Sequence, residues 1–182
     1  PQRPMKTSEA TSAWRKPEAG WAASTYFAEG LPYSLVHKVS SEYLVHASVA
    51  PEIIGLAGLA HFPWNLKFLW APLVDRYSTT KRWMVAAQLA IAACTLFLAA
   101  FAATFVPWPF AVGLLLIAVF AATNDIAVDA YYLRRLDASK QGALAGVRVG
   151  GYRIALMVGG GGIVTLGGLY GFPIAFGAAG LL

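Results

Sequence analysis

Trp83 to Asn124 is a run of 42 residues without Asp, Glu, Lys, Arg or His. At about 1.5 Å rise per residue it would make roughly 63 Å of helix. A bilayer core is about 30 Å thick and takes about 20 residues. The run therefore predicts two crossings with a turn near its middle. Pro107-Trp108-Pro109 sits there and supplies helix-breaking prolines beside a tryptophan suited to the headgroup level. Composition points the same way, because only 13% of the 182 residues are charged and 58% are hydrophobic. A soluble domain carries about 25% charged residues. The charge here is too sparse to coat a water-facing surface, which excludes a soluble enzyme and a disordered region. Cys94, the one cysteine, cannot form an internal disulfide, so a secreted disulfide scaffold is excluded as well.

A second uncharged run goes from Ile154 to Leu182, and Tyr170-Gly171-Phe172-Pro173 within it reads as another hairpin turn. Pro51 suits a helical first turn and opens a further apolar stretch. The chain thus predicts an all-α polytopic membrane bundle. Its helices are expected at about 20–45, 51–73, 83–106, 109–135 and 143–169. A sixth starts near 172 and is incomplete at Leu182, which reads as a chain that continues or as a fragment. Residues 1–18 read as a basic tail and lack the pattern of a cleavable signal. Four cations (Arg3, Lys6, Arg15, Lys16) precede the first helix, three (Arg76, Lys81, Arg82) follow the second, and three (Arg134, Arg135, Lys140) follow the fourth. The alternate connections carry none, or Lys38 alone. This asymmetry predicts a cytoplasmic N-terminus and accounts for the net charge of +5 without a nucleic-acid partner.

Charges at membrane depth cost about 2.5–3.5 kcal/mol or more, so each needs a reason. Glu29 precedes Gly30 and Pro32, which weaken the helix. It is either a proton- or substrate-side carboxylate or an acid near a span end that reaches water. Asp125 and Asp129 are four residues apart and share a helix face, with Asn124 beside them and Tyr132 prolonging the stripe. They form a proton or substrate relay, a structural salt bridge to the next helix, or both. Arg148 and Arg153 lie about 140° apart around their helix. One can pair with the aspartates and the other can face a cavity or snorkel, and either can hold an anionic solute. Tyr152 lies beside Arg153. Lys67 reads as snorkelling, as pairing with Asp75 or a neighbouring acid, or as a direct substrate contact. Gly142, Gly146 and Gly150 repeat every four residues and form a strip for close helix packing. His37, His46 and His61 have no metal-ligand spacing, Cys94 reads as an inert core thiol, and the glycines at 159–162 lack the Lys-Ser/Thr of a phosphate loop. Neither a metal nor a cofactor is implied. With no third acid beside Asp125 and Asp129, a metal-dependent membrane enzyme is not the reading.

Several blocks then resemble AmpG-like muropeptide permeases, a family of the major facilitator superfamily related to acetyl-CoA transporters. Phe68-Leu69-Trp70-Ala71-Pro72-Leu73-Val74-Asp75-Arg76-Tyr77, preceded by Ile54-Gly55-Leu56, resembles their second helix and the following loop. Gly30-Leu31-Pro32 is similar to their first helix, Asn124-Asp125-Ile126-Ala127-Val128-Asp129-Ala130 to their fourth, and Gly151-Tyr152-Arg153 to their fifth. The family usually has Gln where Asn124 stands. In the superfamily's loop motif, Asp75 and Arg76 match, Ala71 and Ser78 replace glycines, and Lys81-Arg82 arrive two residues late. The resemblance implies a gating role for this loop. It also implies a proton-coupled secondary transporter of the bacterial inner membrane, importing muropeptide-like or other anionic solutes by alternating access. It implies two six-helix halves, of which this chain covers the first, so that a missing C-terminal half or a partner membrane subunit would complete the cavity. The alternative is a transporter-derived subunit that transports nothing and packs against a larger membrane complex.

Overall fold

The computed structural model describes residues 17–182, and the basic tail expected over 1–18 lies, but for its last two residues, outside them. Among the described residues the secondary structure is entirely helical. Helix α1 (Pro17–Ser34) passes through a π-helical turn, Leu35–Val39, into α2 (Ser40–His46). After a short connection come α3 (Pro51–Ala57), a 3-10 turn at Gly58–His61, α4 (Phe62–Leu66), a second 3-10 turn at Lys67–Leu69, and α5 (Ala71–Arg76). Next are α6 (Thr80–Phe101), α7 (Pro107–Arg135) and α8 (Ala138–Met157). A second π-helical turn, Val158–Ile163, joins α8 to α9 (Val164–Tyr170), and α10 (Phe172–Leu181) follows.

The helix ends have local causes. Thr79 caps α6 by accepting a hydrogen bond from the Arg82 backbone N–H, and Asp137 caps α8 by accepting from the Lys140 N–H at 2.9 Å. Pro107 occupies the first turn of α7, where its missing N–H costs nothing. The turn thus falls at 102–106, slightly before the proline pair, and not within it. Gly171 has φ +93° and makes the sharp corner into α10, as the hairpin reading of that tetrapeptide expects.

The stretch read as one span over 51–73 is helical from 51 to 76 but irregular, its α-helical pieces alternating with 3-10 turns at Gly58–His61 and Lys67–Leu69. Pro51, Pro63 and Pro72 each sit in the first turn of an α-helical piece, and at Pro63 and Pro72 the missing N–H interrupts the regular bonding of the run. Three helical stretches are long and apolar enough to cross a membrane: Thr80–Phe101, Pro107–Arg135 and Ala138–Tyr170. The apolar window of Pro107–Arg135 is 67% buried against 22% for the other two, so α7 is the central post and they lie around it. The outer faces expose Val85, Leu89, Val112, Leu115, Ile154, Met157 and Leu169, a surface fit for lipid and not for water.

The two ends of the bundle differ. At one end Tyr43 packs against Phe110 (4.9 Å between ring centres), Phe172 (5.3 Å) and Phe176 (5.6 Å). At the other, Trp21 and Tyr26 meet Tyr132 above Leu144 and Val147. The charged end groups also gather there, with Arg134 on Asp75 at 2.8 Å and Lys140 on Glu18 at 3.5 Å. Between the two apolar clusters lies a polar layer.

Candidate functional site

Helices α1, α7 and α8 and the 3-10 turn at Lys67–Leu69 bring their intramembrane charges to this layer. The helix spacing of α7 puts Asp125, Asp129 and Tyr132 on one stripe, facing α1 and α8. Asp129 accepts a hydrogen bond from the Tyr26 hydroxyl at 2.7 Å and an ion-paired one from Arg148 Nη2 at 2.8 Å. The Arg148 guanidinium also lies over the Tyr26 ring at 4.4 Å and near the Tyr132 ring at 5.3 Å. A flat cation lying against two phenol rings and held by a carboxylate is well fixed in orientation. One turn toward the helix N-terminus, Asp125 is buried and ion-paired to Lys67 Nζ. Lys67 reaches Asp125 from the 3-10 turn Lys67–Leu69, which packs on α7. Trp70, in the same segment, donates its indole N–H to Thr123 Oγ1 at 3.2 Å.

Glu29 approaches the same cluster from α1. Its electrostatic neighbours are Asp125, Asp129 and Arg148, and one of its carboxylate oxygens is buried with no hydrogen-bond partner. Asn124 is fully buried, and neither its amide nitrogen nor its oxygen has a partner. Unpaired buried polar atoms are few in folded proteins and each calls for an explanation. The layer thus gathers three acids, Glu29, Asp125 and Asp129, and two cations, Lys67 and Arg148. With all five ionised, one negative charge is uncompensated. The arrangement can hold one proton, or one cationic group, without leaving a net charge.

The remaining predicted residues fall elsewhere. Arg153 is exposed on the outer side of α8, with no ion-pair partner among the described residues, so of the two arginines Arg148 is the one in the cluster. Tyr152 is half-buried, 6.1 Å from the Tyr33 ring, on the side of α8 that faces α1. In the loop, Asp75 is tied to Arg134, Lys81 lies 5.7 Å from the Tyr131 ring, and Arg76 lies 5.9 Å from the Tyr77 ring. Arg82 contributes its backbone N–H to the Thr79 cap.

The glycine strip needs correction. Among the described residues, a methyl placed on Gly142, Gly146 or Gly150 would meet nothing within 4 Å. The close approach is made one residue along, at Gly151, Ala155 and Gly159. A Cβ on Gly151 would lie 2.6 Å from the Ala23 carbonyl oxygen, and one on Gly159 would overlap the Ser34 side chain. From the opposite helix, a Cβ on Gly30 would lie 2.9 Å from both the Ala155 methyl and the Tyr152 carbonyl. This contact seats α8 on α1 and so sets the depth of Arg148 against Asp129.

Two features were not found in the sequence. Tyr26 stands three residues before Glu29 on the same face of α1, a spacing that could have identified it. His37 and His61 are 24 positions apart, yet their ring nitrogens meet at 3.2 Å. No pattern in the sequence pairs them. No group of three or more His, Cys, Asp or Glu side chains is placed to hold a metal among the described residues.

No family model matches the chain. Curated proteins do. An uncharacterized protein of Haemophilus influenzae is 32% identical over 159 residues, covering 85% of this chain and 37% of the relative. The anhydromuropeptide permease of Escherichia coli K12 is 33% identical over 147 residues, covering 74% of this chain and 28% of the permease. AmpG 3 of Rickettsia prowazekii is 26% identical over 151 residues, covering 78% of this chain and 35% of that protein. The chain spans about a third of the length of the relatives it matches.

Proposed function

This chain belongs to an AmpG-like family, and from that premise we propose that it works in a secondary active transporter of the major facilitator type. It imports muropeptide-like or other anionic solutes with protons, by alternating access, across a bacterial inner membrane. Its helices form one six-helix half, and a second half or a partner membrane subunit supplies the facing wall of the cavity. The N-terminus is cytoplasmic.

The observation that carries this reading is the charge balance of the buried layer. Asp125 and Asp129 have counter-ions in Lys67 and Arg148, whereas Glu29 has a buried oxygen with no partner. A single proton on Glu29 makes the layer neutral. Neutrality lowers the cost of closing the cavity over it, so a conformation with the site shut away from both sides becomes accessible when the proton is bound. The Asp129–Arg148 pair, steadied by Tyr26, can open to let the guanidinium take a carboxylate of the solute, with Asn124, Lys67 and Tyr152 as further polar partners. The Asp75–Arg134 bridge, with Arg76, Lys81 and Arg82 around it, ties the α5–α6 loop to the end of α7 and acts as the cytoplasmic gate.

Uptake of labelled anhydromuropeptide into vesicles carrying the complete protein tests this. Glu29→Gln abolishes proton-driven accumulation, by at least about tenfold, while exchange of internal for external solute persists. Asp129→Asn and Arg148→Gln lower both. Undiminished accumulation in Glu29→Gln, Asp125→Asn and Asp129→Asn would overturn the relay.

A further inference from the structure

The His37–His61 pair lies apart from the charged layer, and nothing in the proposed transport cycle uses it. His37 sits in the π-helical turn Leu35–Val39, and His61 closes the 3-10 turn Gly58–His61. The two meet through His61 Nδ1 and His37 Nε2 at 3.2 Å, with ring centres 5.1 Å apart. Both are half-buried. Aromatic rings close around them: Tyr33 is 4.2 Å from His37, and Trp64 is 5.5 Å from His37 and 6.0 Å from His61. The hydroxyls of Tyr33 and Tyr152 and the indole N–H of Trp64 have no hydrogen-bond partner among the described residues and are not sealed off, so the cluster borders open space.

Two features of place single out this pair. First, π-helical turns inside α-helices are uncommon and concentrate at functional positions. The turn that carries His37 packs against the second one, Val158–Ile163, where the Ser34 side chain lies on Gly159. Second, Glu29, Tyr33 and His37 follow one another at four-residue spacing, so they form one stripe along α1. His37 is about 12 Å along the helix from Glu29. The pair is thus the far end of the stripe that begins at the charged layer.

We infer that His37 and His61 form a proton-binding site that holds one proton between two imidazoles. The chemistry of the contact limits its occupancy. In the neutral pair one ring donates N–H to the bare nitrogen of the other. With one added proton an imidazolium still donates to a neutral imidazole, and the aromatic faces around it suit a delocalised cation. With two added protons both facing nitrogens carry hydrogen and the contact cannot persist. Lys38, the next residue, adds like charge to that state. The other titratable group that faces the pair is the Tyr33 phenol, with Tyr152 behind it at 6.1 Å from the Tyr33 ring. The second proton therefore parts the π-helical turn of α1 from the 3-10 turn of the 51–76 segment that also carries Lys67. The site stores a proton while the two segments touch and releases their contact when overfilled.

The test needs no transport. The full-length protein, labelled with 15N-histidine and held in nanodiscs, is titrated from pH 3 to 9, and the imidazole nitrogen signals are followed. The signals lost in His37→Gln and in His61→Gln assign the pair among whatever other histidines the full-length protein carries. In the unsubstituted protein His37 and His61 titrate in two shared steps more than about one pH unit apart, the mark of two sites that titrate as a pair. In His61→Gln, His37 collapses to one step, and in His37→Gln, His61 does the same. The two substitutions check each other should one of them fail to fold. A single His37 step with the same midpoint before and after His61→Gln, or its mirror result at His61, overturns the site.

Discussion

At the scale of single residues, the buried layer is held by pairs whose members are worth little alone. Lys67 is about a third exposed, but Asp125, its partner, is not. Removing the cation leaves a buried carboxylate without compensation, which costs more than the pair itself contributes. Lys67→Met is therefore expected to lower stability by about 1–3 kcal/mol, a figure reduced from the full buried-pair range because water reaches the lysine. Lys67→Met with Asp125→Asn should recover most of that loss. Thermal unfolding in detergent, read as a double-substitution cycle, checks this; additive losses would mean that the two side chains do not interact. This layer was largely legible in the sequence. Acids and arginines in apolar runs are conspicuous, and the four-residue spacing of Asp125 and Asp129 fixes their shared face. The partner of each acid was not legible, because pairing depends on helix rotation and on how the 51–76 segment folds back. Of Arg148 and Arg153, five residues apart, only the packing of α8 decides that Arg148 faces inward.

The elements carry a second lesson, at the α1–α8 contact. Glycine spacing alone identified a strip on α8 but placed it one residue out of register, because several interleaved sets of small residues satisfy the same period. The side chains of α1 choose between them. A Cβ on Gly151 meets backbone at Ala23, which cannot swing aside as a side-chain end can. Gly151→Ala is expected to push α8 from α1 and to cost about 1–3 kcal/mol. Gly146→Ala meets nothing within 4 Å and should be neutral or stabilise by up to about 1 kcal/mol through helix propensity. Paired thermal melts of the two variants decide which glycine face packs, and equal effects would remove the assigned register. The turns at 102–106 and at Gly171 were readable because proline and glycine act locally. The 3-10 irregularities of 51–76 were less so. Its prolines each suit a first helical turn, and nothing local says where the helix tightens between them. The histidine pair lay outside any local signal, since it exists only once that segment is packed against the π-helical turn.

At the scale of the whole molecule, the two ends of the bundle make separate chemical demands. One end gathers Glu18, Asp75, Lys81, Arg134 and Lys140, while the other is packed with Tyr43, Phe105, Phe110 and Phe172. The connections at 77–79 and 136–137 fall at the charged end, and those at 47–50 and 102–106 fall at the aromatic end. The cation excess at one end predicts its retention in the cytoplasm, because Lys and Arg beside a span resist translocation. Single cysteines in a background where Cys94 and any other native cysteine are replaced test that directly. Ser48→Cys and Ala103→Cys should react with an impermeant maleimide added to intact spheroplasts. Ser78→Cys and Ser139→Cys should react only after the membrane is opened. All four native positions are exposed in the fold, so accessibility reports sidedness and not burial. The inverse pattern would reverse the orientation and with it the side of the membrane on which the proposed Asp75–Arg134 gate lies. Labelling of all four from one side would mean that the alternation of ends does not correspond to the two faces of a membrane.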